Sequence, residues 1–272
     1  MVHMSKVVLA VSIVAGTSLS FGAKSMTTKE IFSKNRNAVV QIYVNNQFSG
    51  TGFFVSSDGI VATANHVVSL RENQFKKFAD NIKVVVPLTG SILDAVPLTA
   101  ITDESVAHDT ALLKINGSNF TFVQLGKLSD EEEGNTAAVI CAIAGLGKQA
   151  IFTGIVSAKA TSDGPNPVDV VLFQTPVRGG FSGSPLFNST GQVIGIVSTK
   201  VFGISPALDT MRAQFQTAAA SGGSVRMFGV DVGQSLIELT NVLDQNLISG
   251  MGTAVSSSYA AAMLKATAKA KK

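Results

Sequence analysis

Short apolar runs, each closed off by Gly, Asn, Asp or Pro, recur along most of the chain, and runs of that length bounded by turn residues predict β-strands. Residues 38–44 (Ala38-Val39-Val40-Gln41-Ile42-Tyr43-Val44) stop at Asn45-Asn46 and read as one strand. The stretch 50–68 reads as strand, Asp58-Gly59 turn and strand, with His66 delivered as the second strand ends. Val84–Val86 and Leu93–Leu98 form a further pair about Gly90. Asp109 comes just ahead of an alternating apolar strand ending at Ile115, and His108 beside it would point to the opposite face. Downstream, residues 137–144 enter the Gly145-Leu146-Gly147 turn and pair with 151–158, and Val168–Gln174 leads into a glycine-rich bend. Leu186-Phe187 and Val193–Val197 then make a hairpin across Asn188-Ser189-Thr190-Gly191.

The helical period surfaces only near the ends. Thr27 with Glu30 has the spacing of a capping box and predicts a short helix over 27–37. Beyond Lys200, Leu208, Met211 and Phe215 recur at helical spacing after Pro206. Residues 227–232 read as a last strand, and 234–247 put Leu236, Ile237, Leu239, Thr240, Leu243 and Leu247 on a helical face. From Ser256 onward the Ala/Lys-rich tail reads as a frayed helix or disordered chain.

Composition agrees with a strand-rich, well-buried chain. Its 272 residues suffice for one large β domain or two fused barrels, and 46% hydrophobic against 14% charged residues excludes intrinsic disorder. The 25 glycines and 7 prolines suit many short strands joined by tight turns. The formal charge of +3 owes much to Lys6, Lys265, Lys269, Lys271 and Lys272; setting those aside leaves 16 basic against 18 acidic residues. A nucleic-acid partner is therefore not supported. Residues 1–23, with Lys6 before an apolar run at 7–16 and small residues after it, read as an export signal too short to span a bilayer comfortably. Cys141 is the one cysteine, so no intrachain disulfide forms, and its aliphatic neighbours make it inert packing. The acidic run 130–133 reads as a solvated loop. Three histidines without ligand spacing build no metal site.

The bend Gly179-Gly180-Phe181-Ser182-Gly183-Ser184-Pro185 is suited to presenting one hydroxyl beside free backbone N–H groups. A serine is a poor nucleophile until a base takes its proton, and His66 supplies an imidazole for that task. Asp109 would hold the other ring nitrogen. The N–H groups of Gly180 and Ser182 would form an oxyanion hole.

These motifs resemble, in order, the trypsin-like serine peptidases, and most of all the HtrA/Deg-type protease domain. The similarity lies in Gly50-Thr51-Gly52-Phe53, Thr63-Ala64-Asn65-His66-Val67, Asp109 to Ile115, Gly145-Leu146-Gly147 with Thr153 to Ala158, and Phe181-Ser182-Gly183-Ser184-Pro185-Leu186. Phe228-Gly229-Val230 and the helix after it are matched to the family's closing strand and C-terminal helix. The resemblance implies an all-β fold of two six-stranded antiparallel β-barrels, with a short N-terminal helix, a helical insertion and a C-terminal helix. It further implies cofactor-free peptide-bond hydrolysis by His66, Asp109 and Ser182, with Val197, Ser198, Thr199 and Lys200 as the strand that pairs with substrate. Ser184 stands where the family more often has a glycine, Thr175-Pro176-Val177-Arg178 is a shortened approach to the loop, 204–224 reads as an insertion, and no PDZ domain is expected. No acidic residue is found for the specificity pocket, so small or aliphatic side chains are favoured over Lys or Arg.

The domains expected are a signal peptide at 1–23, a peptidase domain at 24–255 and a tail at 256–272. The expected function is a serine endopeptidase of the bacterial periplasm or exterior, acting on protein or peptide substrates, with no stable membrane span once the signal is removed. A catalytically silent relative that binds protein partners, and an esterase on the same scaffold, are the alternatives.

Overall fold

Two strand-rich stretches each curl into a closed six-stranded barrel in this computed structural model, which describes residues 24–72, 75–87, 89–162, 166–200, 206–224, 226–246 and 249–270. The leader expected at 1–23 lies outside the described residues. Helix α1 (Thr28–Asn35) starts with the capping box the sequence predicts: the Thr27 hydroxyl accepts from Glu30 N, and the Glu30 carboxylate accepts from Thr27 N at 2.7 Å.

The first barrel runs β1 (Val39–Val44), β2 (Gln47–Phe54), β3 (Ile60–Thr63), β6 (Ile82–Val86), β7 (Ser91–Pro97) and β8 (Ala111–Ile115), closed in the order β1-β2-β3-β8-β7-β6. Asn45 and Asn46 both take positive φ, 51° and 66°, as a two-residue turn between right-twisted strands requires. Helix α2 (Asn65–Val68) and the small hairpin of β4 (Ser69–Glu72) and β5 (Phe75–Phe78) follow β3, and α3 (Asp103–Ala107) precedes β8. Ala111, Leu112, Leu113 and Ile115 are all buried, so β8 is covered on both faces and does not show the alternation expected.

The second barrel comprises β9 (Thr136–Ile143), β10 (Lys148–Thr161), β11 (Asp169–Val177), β12 (Pro185–Phe187), β13 (Val193–Lys200) and β16 (Ser249–Ser256), in the order β10-β11-β16-β13-β12-β9. Val139, Val156, Phe173, Phe181, Leu186 and Ile194 fill its interior. Each such side chain contributes about 1.5–3 kcal/mol on leaving water. Cys141 is buried as expected, and burial pushes its thiol up to about 12.

Three expectations are corrected. Residues 226–231 form no barrel strand: β14 (Arg226–Met227) and β15 (Val230–Asp231) are a two-stranded tip between α4 (Pro206–Ala220) and α5 (Val232–Asn246). The strand that closes the barrel is β16, paired to both β11 and β13. The Ala/Lys-rich tail is helix α6 (Ser258–Ala270), which packs on β8 with Ala260 fully buried and Tyr259 stacked on His108 at 3.6 Å. Glu131, in the acidic run, is buried and accepts a hydrogen bond from Asn188 Nδ2 at 2.6 Å.

Candidate active site

His66 and Asp109 come from the first barrel, and Ser182 from the second. His66 sits on the short helix α2 rather than at the end of β3, and Asp109 occupies the turn from α3 into β8 with φ of 43°, a left-handed conformation that Asp tolerates better than most residues. That turn locks onto α2: Asn65 N donates to Asp109 O at 3.0 Å, and His66 N donates to Asp109 Oδ1 at 2.9 Å. The ring joins through His66 Nδ1 and Asp109 Oδ2 at 2.7 Å. A carboxylate only accepts, so Nδ1 carries the proton in this contact, and in the neutral ring Nε2 is the accepting nitrogen. The Asp109 side chain is 18% exposed and that of His66 42%, so the carboxylate is enclosed while the imidazole stays within reach of a reactant.

Burial pushes the Asp109 carboxyl upward. The hydrogen bond and charge of His66, the Ser198 hydroxyl and the His66 backbone N–H pull it down further, so the net position is below the usual carboxylate range. Ser198 Oγ donates to Asp109 Oδ2 at 2.5 Å, a role that sequence reasoning missed when it assigned Ser198 to substrate pairing. The cause is a β-bulge: the register of β13 on β16 shifts between Val197 and Thr199, which turns the Ser198 side chain toward the first barrel. Alternation along a strand cannot reveal that shift. Val197 is buried, with its N–H on Ser184 O and its carbonyl accepting from Gly183 N. Thr199 and Lys200 continue β13 opposite Thr253 and Gly252.

The serine loop is held from three sides. Gly183 has φ of +81°, and a Cβ there would fall 2.0 Å from Thr51 O and 2.2 Å from Thr63 Oγ1, so the position admits glycine alone. Phe181 is buried in the second barrel against Phe152. Thr51, on β2, donates its N–H to Ser182 O at 2.9 Å and its hydroxyl to Gly180 O at 2.8 Å, while accepting from Ala142 N at 3.1 Å. With the loop carbonyls so engaged, the N–H groups of Gly180 and Ser182 have no partner among the described residues. Ser182 Oγ donates to Ser198 O at 3.3 Å, and no hydrogen bond joins it to His66.

The description "Trypsin-like peptidase domain" fits residues 50–196, which hold the stretch from Gly50 through Ser182 to the middle of β13. The chain belongs to the trypsin-like peptidase family. This trypsin-like chain is 33% identical over 210 residues to the "Probable periplasmic serine endoprotease DegP-like" of Hahella chejuensis, covering 72% of this chain and 42% of the relative. It is 36% identical over 154 residues to the protein of the same description from Pseudomonas fluorescens, covering 56% of this chain and 29% of that one. It thus spans less than half the length of these curated relatives. Among solved structures, HtrA-type protease AlgW with tripeptide superposes with a TM-score of 0.60 at 22% identity, over 86% of this chain and 61% of that one. The same protease with decapeptide gives 0.60 at 18% identity, over 90% and 68%. At that identity the likeness is one of fold, and it agrees with the double barrel.

Proposed function

We propose that this chain is an exported serine endopeptidase in which Ser182 attacks the substrate carbonyl, His66 is the general base and Asp109 orients the imidazole. The observation that carries the reading is the His66 Nδ1–Asp109 Oδ2 hydrogen bond of 2.7 Å, which orients the ring so that in its neutral form Nε2 is the nitrogen that can accept a proton. Nε2 takes the proton as Ser182 Oγ bonds to the carbonyl carbon, and the oxygen that becomes negative is received by the N–H groups of Gly180 and Ser182. His66 returns the proton to the amine as the C–N bond breaks. Water then repeats the sequence on the acyl-enzyme and frees Ser182. One oxyanion donor is worth about 10²–10³ in rate, so two unpaired N–H groups flanking Phe181 are a substantial contribution. An export signal read at 1–23 and relatives described as periplasmic support action on proteins outside the cytoplasm.

A second reading has its own observation. Ser182 Oγ is directed to Ser198 O rather than to His66, as in a relative that keeps the cleft for binding. In an active enzyme the same hydroxyl turns to Nε2 when substrate fills the cleft, since such contacts often tighten only in the complex. Reaction with a fluorophosphonate probe, cleavage of denatured casein, and both again with Ser182→Ala separate the cases. A peptidase labels and cleaves, and loses both in the variant, with turnover down by about 10⁴ or more. Labelling with turnover of small esters alone marks an esterase, and a folded protein that does not label is a binder.

A further inference from the structure

The strand order of the second barrel gives the candidate nucleophile two unlike flanks. The serine loop leads into β12, which lies between β13 on one side and β9 on the other. Ser198 and the strand read as pairing with the acyl portion of a substrate lie on the β13 side. On the β9 side a cavity of about 360 Å³ opens beside the loop, lined by Phe48, Ala142, Ile143, Arg178, Gly179 and Phe181. Phe48 marks how near it comes to the reacting centre, because a Cβ on Gly180 would meet its ring at 2.8 Å. A substrate carbonyl seated on the Gly180 and Ser182 N–H groups, with its acyl portion along β13, sends its leaving amine toward this cavity.

Backbone polar atoms contribute to its walls, but among the side chains that line it only that of Arg178 is polar. Arg178 is the single charged residue lining the cavity, no carboxylate lines it, and the guanidinium has no ion pair or hydrogen bond among the described residues. A guanidinium is charged at every accessible pH and presents a planar fork that matches a carboxylate. Resting on the serine endopeptidase reading, we propose that this cavity is a leaving-group subsite in which Arg178 selects a carboxylate just beyond the scissile bond. That carboxylate comes from an acidic side chain or from the C-terminus of a substrate cut near its end. The aromatic and aliphatic walls take up the methylenes that carry it, and a lysine in the same place meets like charge with no acid to relieve it.

The test is a set of internally quenched peptides that share one acyl portion and carry Asp, Glu, Ala or Lys at the first or second leaving-group position. Each is made with a free and an amidated C-terminus. The ratio of kcat/KM for acidic over lysine peptides is expected to be about fivefold in the wild type, lost in Arg178→Gln and inverted in Arg178→Glu. A ratio within one variant does not depend on how much of it folds. Amidation that leaves the ratio unchanged assigns the carboxylate to the side chain, and amidation that abolishes the preference of short peptides assigns it to the chain end. Binding of the same peptides to Ser182→Ala, followed by fluorescence anisotropy, reads the subsite without turnover. Acidic preference there with no cleavage by the wild type keeps the subsite and removes the peptidase reading. Equal rates for acidic and lysine peptides, or equal binding to Ser182→Ala where nothing is cleaved, overturn the subsite, as does a preference that survives Arg178→Glu.

Discussion

Asp109 is enclosed by protein and yet held in its charged form, and the balance can be followed donor by donor. Burial alone would raise its carboxyl; His66 and Ser198 reverse the sign. A carboxyl whose folded pKa lies below its unfolded value adds stability that is full above the unfolded value, about 3.9, and is lost as pH falls through the folded one. Ser198→Ala removes one donor and so raises the folded pKa toward the unfolded one: the acid loss of stability should still begin near the unfolded value but be smaller and level off at higher pH than in the wild type, with about 1–2 kcal/mol lost at neutral pH. Asp109→Asn should flatten the same limb. Urea unfolding repeated between pH 7 and about pH 2 checks both, and an unchanged acid limb in Ser198→Ala would contradict the account. The meeting of His66 with Asp109 and the glycine-flanked loop that carries Ser182 were legible because each of these residues stands at an element end among motifs in family order. Ser198 was not, because its orientation depends on a bulge set by pairing with β16, a strand more than fifty residues further along the chain.

At the scale of elements, the strands were legible wherever an apolar run met a turn residue, and the errors cluster after Lys200. Residues 227–232 have strand-like composition, but Phe228 is fully exposed and Met227 and Val230 are more than half exposed, so the run stops at a hairpin tip. The actual closing strand, β16, contains Gly250 and Gly252 and alternates weakly, which hid it. Gly252 is small for a packing reason, since a Cβ there would meet Phe173 Cζ at 2.6 Å and Val177 Cγ2 at 2.8 Å. Between β13 and β16 the described helices α4 and α5 pack chiefly on each other, with Gly233 against Phe215 and Ile237 and Thr240 buried. Replacing residues 201–248 by a short Gly/Ser turn is therefore expected to leave both barrels folded. The melting temperature should stay within about 4 °C of the wild type, the shift that about 1 kcal/mol produces in a domain of this size. A collapse of the thermal transition in that variant would show that the helical pair is part of the barrel's support.

For the whole molecule, the arrangement of the site depends on how the two barrels seat against each other. Thr51 ties β2 to the serine loop and to Ala142, Gln41 Nε2 donates to Ile143 O at 2.7 Å, and Gln149 Nε2 returns to Val39 O at 3.0 Å. Few bonds span that seam compared with the ladders inside each barrel, so partial opening costs less than unfolding either half. In a urea series, peptidase activity is expected to fall before the far-UV circular dichroism signal does; coincident curves would mean that seam and barrels give way together. The lone thiol on β9 supplies a third signal. Shielded inside one half of the molecule, Cys141 reacts with a maleimide pulse only once that half has come apart. An unmodified chain thus carries a built-in clock for one lobe, able to distinguish lobes drifting apart from a lobe dissolving.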